Sequence, residues 1–334
     1  MNRKKIFIVA ILLFIIPALF AQTADEAYAL FEAGNNYFDA GDYDSAIIYY
    51  AKTVPAYEKL YGTNSLYTAN AYYWLGKSYS KTQNYKTAVS WLERALVVYD
   101  SPQVNKQDYV ANTLLSIGDA YFYSKDYNSA ITYYTKALPT YEKLYGTNHI
   151  YTADAYYFLG LSYSYAENYQ AAIPWLKKAL AVYDSSQGNK ESAANALFFL
   201  SNTYFNSSDY DTALEYIQKS LSLRKNVFGE NDENTAICYA NIGLVYEFKC
   251  DYKTALSYFQ KALAIRQKVF GENHLTTADS YHDIATENYC LGNYEDALNY
   301  YLKALEIREN IAGSFSYEVA HTLGAIATVF IGMG

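Results

Sequence analysis

The histidines are the side chains of this 334-residue chain whose chemistry is easiest to judge from spacing. There are four of them, His149, His274, His282 and His321. A zinc site would need further ligands at a short helical spacing, as in H-E-x-x-H. His282 stands beside Asp283, but no second ligand follows it, and His149 and His274 occupy equivalent places in a repeated segment. The sequence therefore predicts no metal site.

Cysteine chemistry and other catalytic signatures are equally sparse. Cys238, Cys250 and Cys290 lie in the last third of the chain, and their odd number and lack of C-x-x-C spacing argue against a disulfide framework or a zinc site. We expect three buried free thiols. The sequence contains no glycine-rich phosphate loop and no G-x-S-x-G nucleophile elbow. We therefore expect a non-enzymatic protein that uses no cofactor.

The charge balance bears on the class of partner. The chain has 26 basic and 34 acidic side chains, a net charge of −8, and no basic stripe. A nucleic-acid backbone or an anionic membrane surface would require such a stripe. We expect neither as a partner.

The N-terminal residues 1–21 have the three parts of a secretory signal peptide. Residues 3–5 are basic, residues 6–16 are an unbroken apolar run, and Ala21 is a small residue before the expected cleavage point. The apolar run is shorter than the roughly 20 residues of a spanning helix, so a retained anchor is the weaker interpretation. We expect an exported protein, periplasmic or secreted, that does not insert into a membrane after the signal is cleaved.

A tandem repeat organises the remainder of the chain, residues 22–334. Its anchor positions recur every 42 residues, with one residue missing before the fifth. They are Gly34, Gly76, Gly118, Gly160, Ser201, Gly243, Ala285 and, in a last half-repeat, Ala327. A tyrosine stands nine residues after each of the first seven anchors and an alanine twelve residues after it. Two stretches of helical periodicity within each repeat predict a helical hairpin, with the small residues allowing its two helices to approach closely.

The residues around the anchor resemble a known family. Tyr72-x-x-Leu75-Gly76-x-x-Tyr79, followed by Ala88, resembles the tetratricopeptide repeat (TPR) pattern W-x2-L-G-x2-Y…A-x3-F. The long period is similar to that of the kinesin light chain type. The resemblance implies an all-α, right-handed superhelical solenoid of about seven hairpins plus a C-terminal helix, without a domain boundary. It also implies a scaffold that binds proteins.

Two further sequence features concern the regularity of the array. Residues 53–103 and 137–187 share 32 of 51 residues, so the first four repeats are a duplicated pair. Pro55 and Pro139 fall inside second helices of this pair, where we expect a proline to end or kink the helix.

Tyrosine is unusually abundant, with 41 residues, and the repeat columns assign 25 of them to packing. The resemblance implies that columns six and three before the anchor, and four and five after it, line a groove that holds a partner. The aromatic, amide and basic residues of this groove are Tyr28, Phe31, Asn35, Asn70, Tyr73, Lys77, Lys81, Asn112, Phe122, Tyr123, Tyr157, Tyr165, Asn195, Phe198, Asn202, Phe205, Phe248, His282 and Tyr289. Rings and amides together suit an extended peptide. The alternative is that neighbouring rings merely pack on one another.

Three interpretations of function follow. The leading one is a non-enzymatic, exported TPR scaffold that binds a protein or an extended peptide in this groove. The family's two-carboxylate clamp has only Asn35, Lys77 and Lys81 as candidates, with no arginine, so we do not expect a clamp. The alternative is the sensory or recruitment half of a longer enzyme of the caspase-like peptidase or histidine kinase type. A third possibility is self-association through the apolar residues 317–334.

Overall fold

The computed structural model describes residues 23–185 and 189–334. In this part of the chain there are fifteen α-helices and no strand, which confirms the all-α fold expected of a TPR solenoid. Residues 1–21, predicted to be a signal peptide, lie outside the described residues. Within the described part no helix is both long enough and apolar enough to cross a membrane.

The helices belong to two compact units. Unit 1, residues 23–166, contains α1 (Ala24–Asp39), α2 (Tyr43–Tyr61), α3 (Leu66–Lys81), α4 (Tyr85–Tyr99), α5 (Gln107–Tyr123), α6 (Tyr127–Tyr145) and α7 (Ile150–Tyr165). Unit 2, from residue 167 onward, contains α8 (Tyr169–Tyr183), α9 (Lys190–Asn206), α10 (Tyr210–Phe228), α11 (Glu233–Phe248), α12 (Tyr252–Phe270), α13 (Leu275–Cys290), α14 (Tyr294–Ala312) and α15 (Tyr317–Met333). Within each unit every helix packs on its neighbours in the chain. A single continuous array without a boundary stays a prediction.

Each hairpin turns at the residue seven positions after the anchor, where φ is positive. Glycine stands there in two hairpins, as Gly41 and Gly292, and other residues accept the left-handed conformation in the rest. The next residue is Asp or Asn, and most of these side chains accept a backbone N–H of the following first turn. Asp42, for example, accepts the N–H of Ser45 at 3.1 Å. The predicted break between the two helices of a repeat is therefore confirmed. It is caused by the positive-φ residue and the capping Asp or Asn of the turn.

The small anchor residue sets the distance between the two helices of a hairpin. A Cβ atom placed on Gly118 would lie 2.6 Å from Cε1 of Tyr134, which is fully buried in α6. A Cβ on Gly76 would lie 2.8 Å from Cγ of Leu92 and 3.0 Å from the carbonyl oxygen of Ala88. The alanine twelve residues after the anchor is fully buried in all seven repeats. The predicted close approach is confirmed.

A threonine fastens the loop that joins one hairpin to the next. Thr277 is fully buried, and its hydroxyl donates to the carbonyl oxygen of Gly271 at 2.8 Å. The same bond recurs in three other inter-hairpin loops, from Thr68, Thr152 and Thr235. The glycine ends the preceding second helix with a positive φ. The loop thus fixes where the next first helix begins.

We expect Thr277→Val to lower the free energy of unfolding by about 1 kcal/mol, because valine keeps the shape but leaves the Gly271 carbonyl unbonded. Chemical unfolding followed by circular dichroism measures this difference. Thr328→Val is the matched control, since Thr328 is exposed and its hydroxyl bonds only within its own helix, to Gly324. Equal effects of the two changes would contradict the role given to Thr277.

Of the two outcomes expected at Pro55 and Pro139, an end of the helix is wrong, and a kink stays a prediction. Helices α2 and α6 continue through them to Tyr61 and Tyr145. The residues beside Pro55, Val54 and Ala56, are both buried in the core of unit 1. Packing on both sides of α2 therefore outweighs the roughly 3 kcal/mol that an interior proline costs.

The cysteine expectation is correct for one residue and wrong for two. Cys238 is buried, whereas Cys250 and Cys290 are exposed, and all three are free thiols. Cys250 is exposed because it occupies the positive-φ turn of its hairpin, and Cys290 because it is the last residue of α13.

The last helix, α15, presents apolar side chains to solvent. Leu323, Phe330 and Ile331 are exposed, with 81% of Ile331 accessible. The opposite side of α15 packs on α14 through Ile326 and Val329. Self-association through residues 317–334 stays a prediction.

Candidate functional site

The first helices of consecutive hairpins meet side by side within each unit. In unit 1 the ring of Phe38 on α1 lies 5.0 Å from that of Trp74 on α3, and the hydroxyl of Tyr73 on α3 is 3.4 Å from that of Ser116 on α5. In unit 2 the rings of Phe205 on α9 and Phe248 on α11 are 4.9 Å apart. We call the surface that carries the predicted groove columns the first-helix face of each unit.

Three tyrosines on the first-helix face of unit 1 offer their rings to solvent. The exposed fractions of Tyr28, Tyr123 and Tyr165 are 57%, 55% and 49%. Tyr123 and Tyr165 flank the ring of Phe122, at centroid distances of 5.4 and 5.7 Å. Phe122, Tyr123 and Tyr165 thus form one aromatic cluster with a hydroxyl at the tip of each tyrosine, which suits an amphipathic partner. Tyr28 is exposed on α1.

The other predicted rings of unit 1 are half-buried among neighbouring rings. Phe31 packs on Tyr50 at 5.6 Å, and Tyr73 packs on Trp74 at 5.5 Å. Phe122 is likewise enclosed, and Tyr157 lies 5.4 Å from Phe158. These rings form the floor that holds the exposed ones, so part of the predicted groove is ring-on-ring packing.

The predicted asparagines have their carbonyl oxygens engaged within the protein. Asn70 accepts the hydroxyl of Tyr99 at 2.7 Å, and Asn112 accepts that of Tyr141. Asn195 accepts Nη2 of Arg224 at 2.9 Å. Each partner lies 29 residues further along, on the last turns of the second helix of the same hairpin. This column therefore joins the two helices of a hairpin.

The side-chain oxygens of two further asparagines also accept hydrogen bonds from within the protein. Asn35 accepts the hydroxyl of Tyr50 at 2.7 Å and donates to Glu32 at 3.1 Å. Asn202 accepts from Nδ2 of Asn241 at 3.0 Å, which links α9 to α11. Both are half-buried.

The candidate clamp lysines of unit 1 face rings and an acid. Nζ of Lys77 lies 5.2 Å from the ring of Trp74 and 5.6 Å from that of Tyr73, and Lys81 is exposed. Burial raises the pKa of the nearby Asp119 carboxyl, while Lys77 and Lys81 act to lower it. Asp119 therefore competes with a bound carboxylate for the charge of the two lysines. The absence of a clamp stays a prediction.

The first-helix face of unit 2 carries the remaining predicted rings. Phe248 is 54% exposed and borders Phe205. Phe198 is half-buried beneath the guanidinium of Arg224, 4.9 Å from the ring centre. Tyr289 is half-buried against Tyr294 at 5.6 Å. Only one of these rings is therefore freely available.

His282 stands in a different setting, a cleft of about 520 Å³. It is lined by Leu244, Glu247, Asp279, His282, Asp283, Thr286, Tyr301, Arg308, His321 and Ala325. The His282 ring stacks on that of His321 at 4.8 Å, and its Nε2 is buried without a hydrogen-bond partner. Burial, and secondly the Arg308 charge, lower the pKa of His282 to about 4, so the ring is neutral at pH 7.

Glu247 and Asp283 line this cleft, and both act on the carboxyl group of Glu287, which is buried and is not part of the lining. Burial raises the pKa of Asp283 to about 7 and that of Glu287 to about 8, with the charge of Glu247 contributing in both cases. Asp283 and Glu287 are four residues apart and share one face of α13. In residues 23–185 and 189–334, no group of three acidic, histidine or cysteine side chains is arranged to hold a metal ion.

The other two histidines have structural positions. His149 caps α7, accepting the N–H of Tyr151 at 3.2 Å, and His274 caps α13, accepting that of Thr276 at 3.3 Å. They are the repeat features that the sequence indicated.

Comparison with known proteins assigns the family. A model described as tetratricopeptide repeat matches residues 25–101, 109–185, 192–268 and 243–310, and a second model of the same description matches 157–226. The chain belongs to the tetratricopeptide repeat family. TPR arrays are repeat scaffolds whose extended surfaces bind other proteins. A comparison with curated proteins gave no significant match.

Solved structures with the same fold include three of different kinds. A STAND signal-transduction ATPase with a tetratricopeptide repeat sensor, from Pyrococcus horikoshii, matches with a TM-score of 0.70 and 17% identity, over 92% of this chain and 44% of that one. The quorum sensor NprR from B. thuringiensis gives 0.58 and 17%, over 90% and 80%. A putative kinesin light chain from Podosopora anserina gives 0.54 and 14%, over 60% and 94%. The resemblance to kinesin light chain repeats is thereby confirmed at the level of fold.

Proposed function

We propose that this TPR protein is an exported, non-enzymatic scaffold that binds an extended polypeptide across the first-helix face of unit 1. The observation that carries the proposal is the pair of exposed rings, Tyr123 and Tyr165, that flank the half-buried ring of Phe122. Solvent-exposed aromatic clusters of this kind are typical of binding surfaces. The signal-like residues 1–21 support export, and the net charge of −8 argues against nucleic acid as the partner.

The half-buried rings beneath Tyr123 and Tyr165 keep the exposed rings in fixed positions. Rings such as Phe122 are fixed by neighbours on two helices, so Tyr123 and Tyr165 are held in place before a partner arrives. A rigid surface loses little conformational entropy on binding. The amide N–H groups of Asn70 and Asn112 remain as donors toward a peptide backbone, because only their oxygens are used within the hairpin.

The test is selection of a displayed library of random peptides on the full chain, followed by affinity measurement in solution. We expect selected peptides to lose about tenfold or more in affinity for the Tyr123→Ala/Tyr165→Ala variant. Tyr67→Ala/Tyr151→Ala is the matched control, because these tyrosines are 57% and 54% exposed but lie at the starts of α3 and α7, outside the face. Equal losses in both variants, or no selected peptide, would contradict the proposal.

The second candidate function is the sensory half of a longer enzyme. It is favoured by the STAND ATPase, whose description names a TPR sensor and of which this chain spans 44%. Sequencing the gene downstream of the codon for Gly334 tests it, and a peptidase or kinase domain encoded there would establish this alternative.

A further inference from the structure

The aromatic cluster of Phe122, Tyr123 and Tyr165 in unit 1 has a shape that restricts its occupant. The plane of the Phe122 ring makes an angle of 87° with that of Tyr123 and of 71° with that of Tyr165. The Tyr165 ring is braced by Tyr127, which stacks on it at 5.2 Å and 19°. Two exposed rings therefore stand nearly upright on a half-buried one, and a small apolar ring can pack against them.

The polar groups that remain free on this face can all donate hydrogen bonds. The hydroxyls of Tyr123 and Tyr165 have no hydrogen-bond partner within the described residues. The side-chain amide nitrogens of Asn70 and Asn112 are free as well, because these side chains use only their oxygens within the hairpin. Lys77 adds an ammonium group, which donates and cannot accept. These groups suit a partner that supplies acceptors.

The amide and carboxylate oxygens that α3 and α5 present on the same face are already engaged. Those of Asn70 and Asn112 accept tyrosine hydroxyls, and the carboxylate of Asp119 accepts the hydroxyl of Tyr134 at 2.7 Å. A backbone N–H brought here by a partner would give up its hydrogen bond to water and find these groups already bonded. Because an unpaired donor is unfavourable, the face discriminates against a backbone rich in N–H groups.

A proline-rich chain is complementary to both properties. Proline has no backbone N–H, so it brings no donor that needs an acceptor. Proline-rich segments adopt the polyproline II helix, which has no internal hydrogen bonds and leaves every carbonyl oxygen free to accept. Their rings pack into grooves lined by aromatic side chains, and the helix is already formed before binding, so little conformational entropy is lost.

We propose that the aromatic cluster binds a proline-rich segment in the polyproline II conformation, whose carbonyl oxygens accept from the hydroxyls of Tyr123 and Tyr165. The inference rests on the proposed function, and it adds the composition of the partner at this site. An acidic segment is the main competing occupant, because Lys77 and Lys81 lie on the same face. Asp119 already draws on the charge of these two lysines, which favours the proline-rich segment.

The test measures the affinity of the full chain for fluorescein-labelled decaproline and for (Gly-Ser)5 of the same length. Decaproline should bind more tightly by about tenfold or more. This preference should disappear in Tyr123→Ala/Tyr165→Ala and persist in Tyr67→Ala/Tyr151→Ala, which removes two rings of similar exposure outside the face. Equal affinities of the two probes for the wild-type chain would refute the inference. Helical circular dichroism verifies that each variant is folded.

The variant Tyr123→Phe/Tyr165→Phe tests the hydroxyl groups separately from the rings. It keeps the aromatic surface and removes two donors, so decaproline should bind about two- to tenfold more weakly for each lost hydrogen bond. The preference over (Gly-Ser)5 should be reduced but not abolished. An unchanged affinity for decaproline would contradict the match between donors and carbonyl oxygens on which the choice of proline depends.

Peptides selected from the random library separate this inference from the proposed function. If they bind through Tyr123 and Tyr165 but contain no excess of proline, and decaproline does not displace them, the inference is refuted and the scaffold proposal stands. If they are acidic and lose affinity in Lys77→Gln/Lys81→Gln, an acidic segment is the occupant and the inference is again refuted. Decaproline binding that is lost only in Tyr67→Ala/Tyr151→Ala would overturn both proposals.

Discussion

Glu287→Gln is expected to stabilise the protein progressively as the pH rises from 4 to 9. Burial and the neighbouring carboxyls raise the pKa of Glu287 from 4.5 to about 8 in the folded protein. Since one pKa unit corresponds to about 1.4 kcal/mol, the folded wild-type chain loses up to about 5 kcal/mol over this range. Glutamine has the same shape and cannot ionise, so the variant avoids this loss.

The sign follows from proton binding. Between pH 4.5 and about 8 the folded state keeps a proton on Glu287 that the unfolded state has released. A folded state that binds more protons becomes less stable as the pH rises. The stabilising effect of Glu287→Gln should therefore be near zero at pH 4, grow through the neutral range and be complete above pH 8. Glu247, Asp283 and Cys290 also interact with Glu287, and the measured step belongs to the group as a whole.

Urea unfolding of both proteins across this pH range gives the measurement. Glu306→Gln is the control, because Glu306 is exposed and should show no comparable trend. A Glu287→Gln effect that is the same at pH 4 and pH 9 would mean that the pKa of Glu287 is the same in the folded and unfolded protein, and the account of its burial would be wrong.

Gly118→Ala is expected to lower the free energy of unfolding by about 1–3 kcal/mol. Alanine ordinarily stabilises a helix interior by roughly 0.5–1 kcal/mol over glycine, so the expected sign is opposite to the intrinsic preference. The reason is the 2.6 Å distance from the new Cβ to the ring of Tyr134, which is fully buried and bonded to Asp119. The hairpin must open for the methyl group to fit.

Gly324→Ala provides the matched control for this prediction. Gly324 lies inside α15, and a Cβ there would have no atom within 4 Å. We expect this change to be neutral or stabilising. Circular dichroism during urea unfolding reports both variants, and a stabilised Gly118→Ala protein would show that the hairpin is not as closely packed as described.

The hairpins could be predicted from the sequence because their causes recur. The anchor glycine, the alanine twelve residues later and the tyrosine at nine each serve one contact that every repeat must make, such as Gly34 against Tyr50. A contact that every repeat makes requires the same residue type at the same position of each repeat. Such positions can be recognised in a single sequence without an alignment. The threonine of the inter-hairpin loop, for example Thr68, also recurs at one position of the repeat, but it was not among the predicted structural positions.

The candidate site was predictable only in part, because its features belong to single repeats. Tyr123 is exposed, as a groove position requires, but its role in binding stays a prediction. That Asn70 bonds to Tyr99 depends on the path of a second helix, which a column of asparagines does not reveal. The cluster around Glu287 arises from α11 and α13 together, so neither helix shows it alone. Pro55 does not end α2, because the packing of α2 outweighs the local preference of proline against a helix interior.

The most direct test of the central claim is to locate a bound peptide by photo-crosslinking. A benzoylphenylalanine in place of Tyr123 keeps an aromatic ring on the first-helix face of unit 1, and one in place of Tyr67 keeps a ring of equal exposure outside it. We expect a library-selected peptide to crosslink at position 123 and not at position 67, with unlabelled peptide suppressing the reaction. Crosslinking at position 67 alone, or equally at both, would contradict binding on this face.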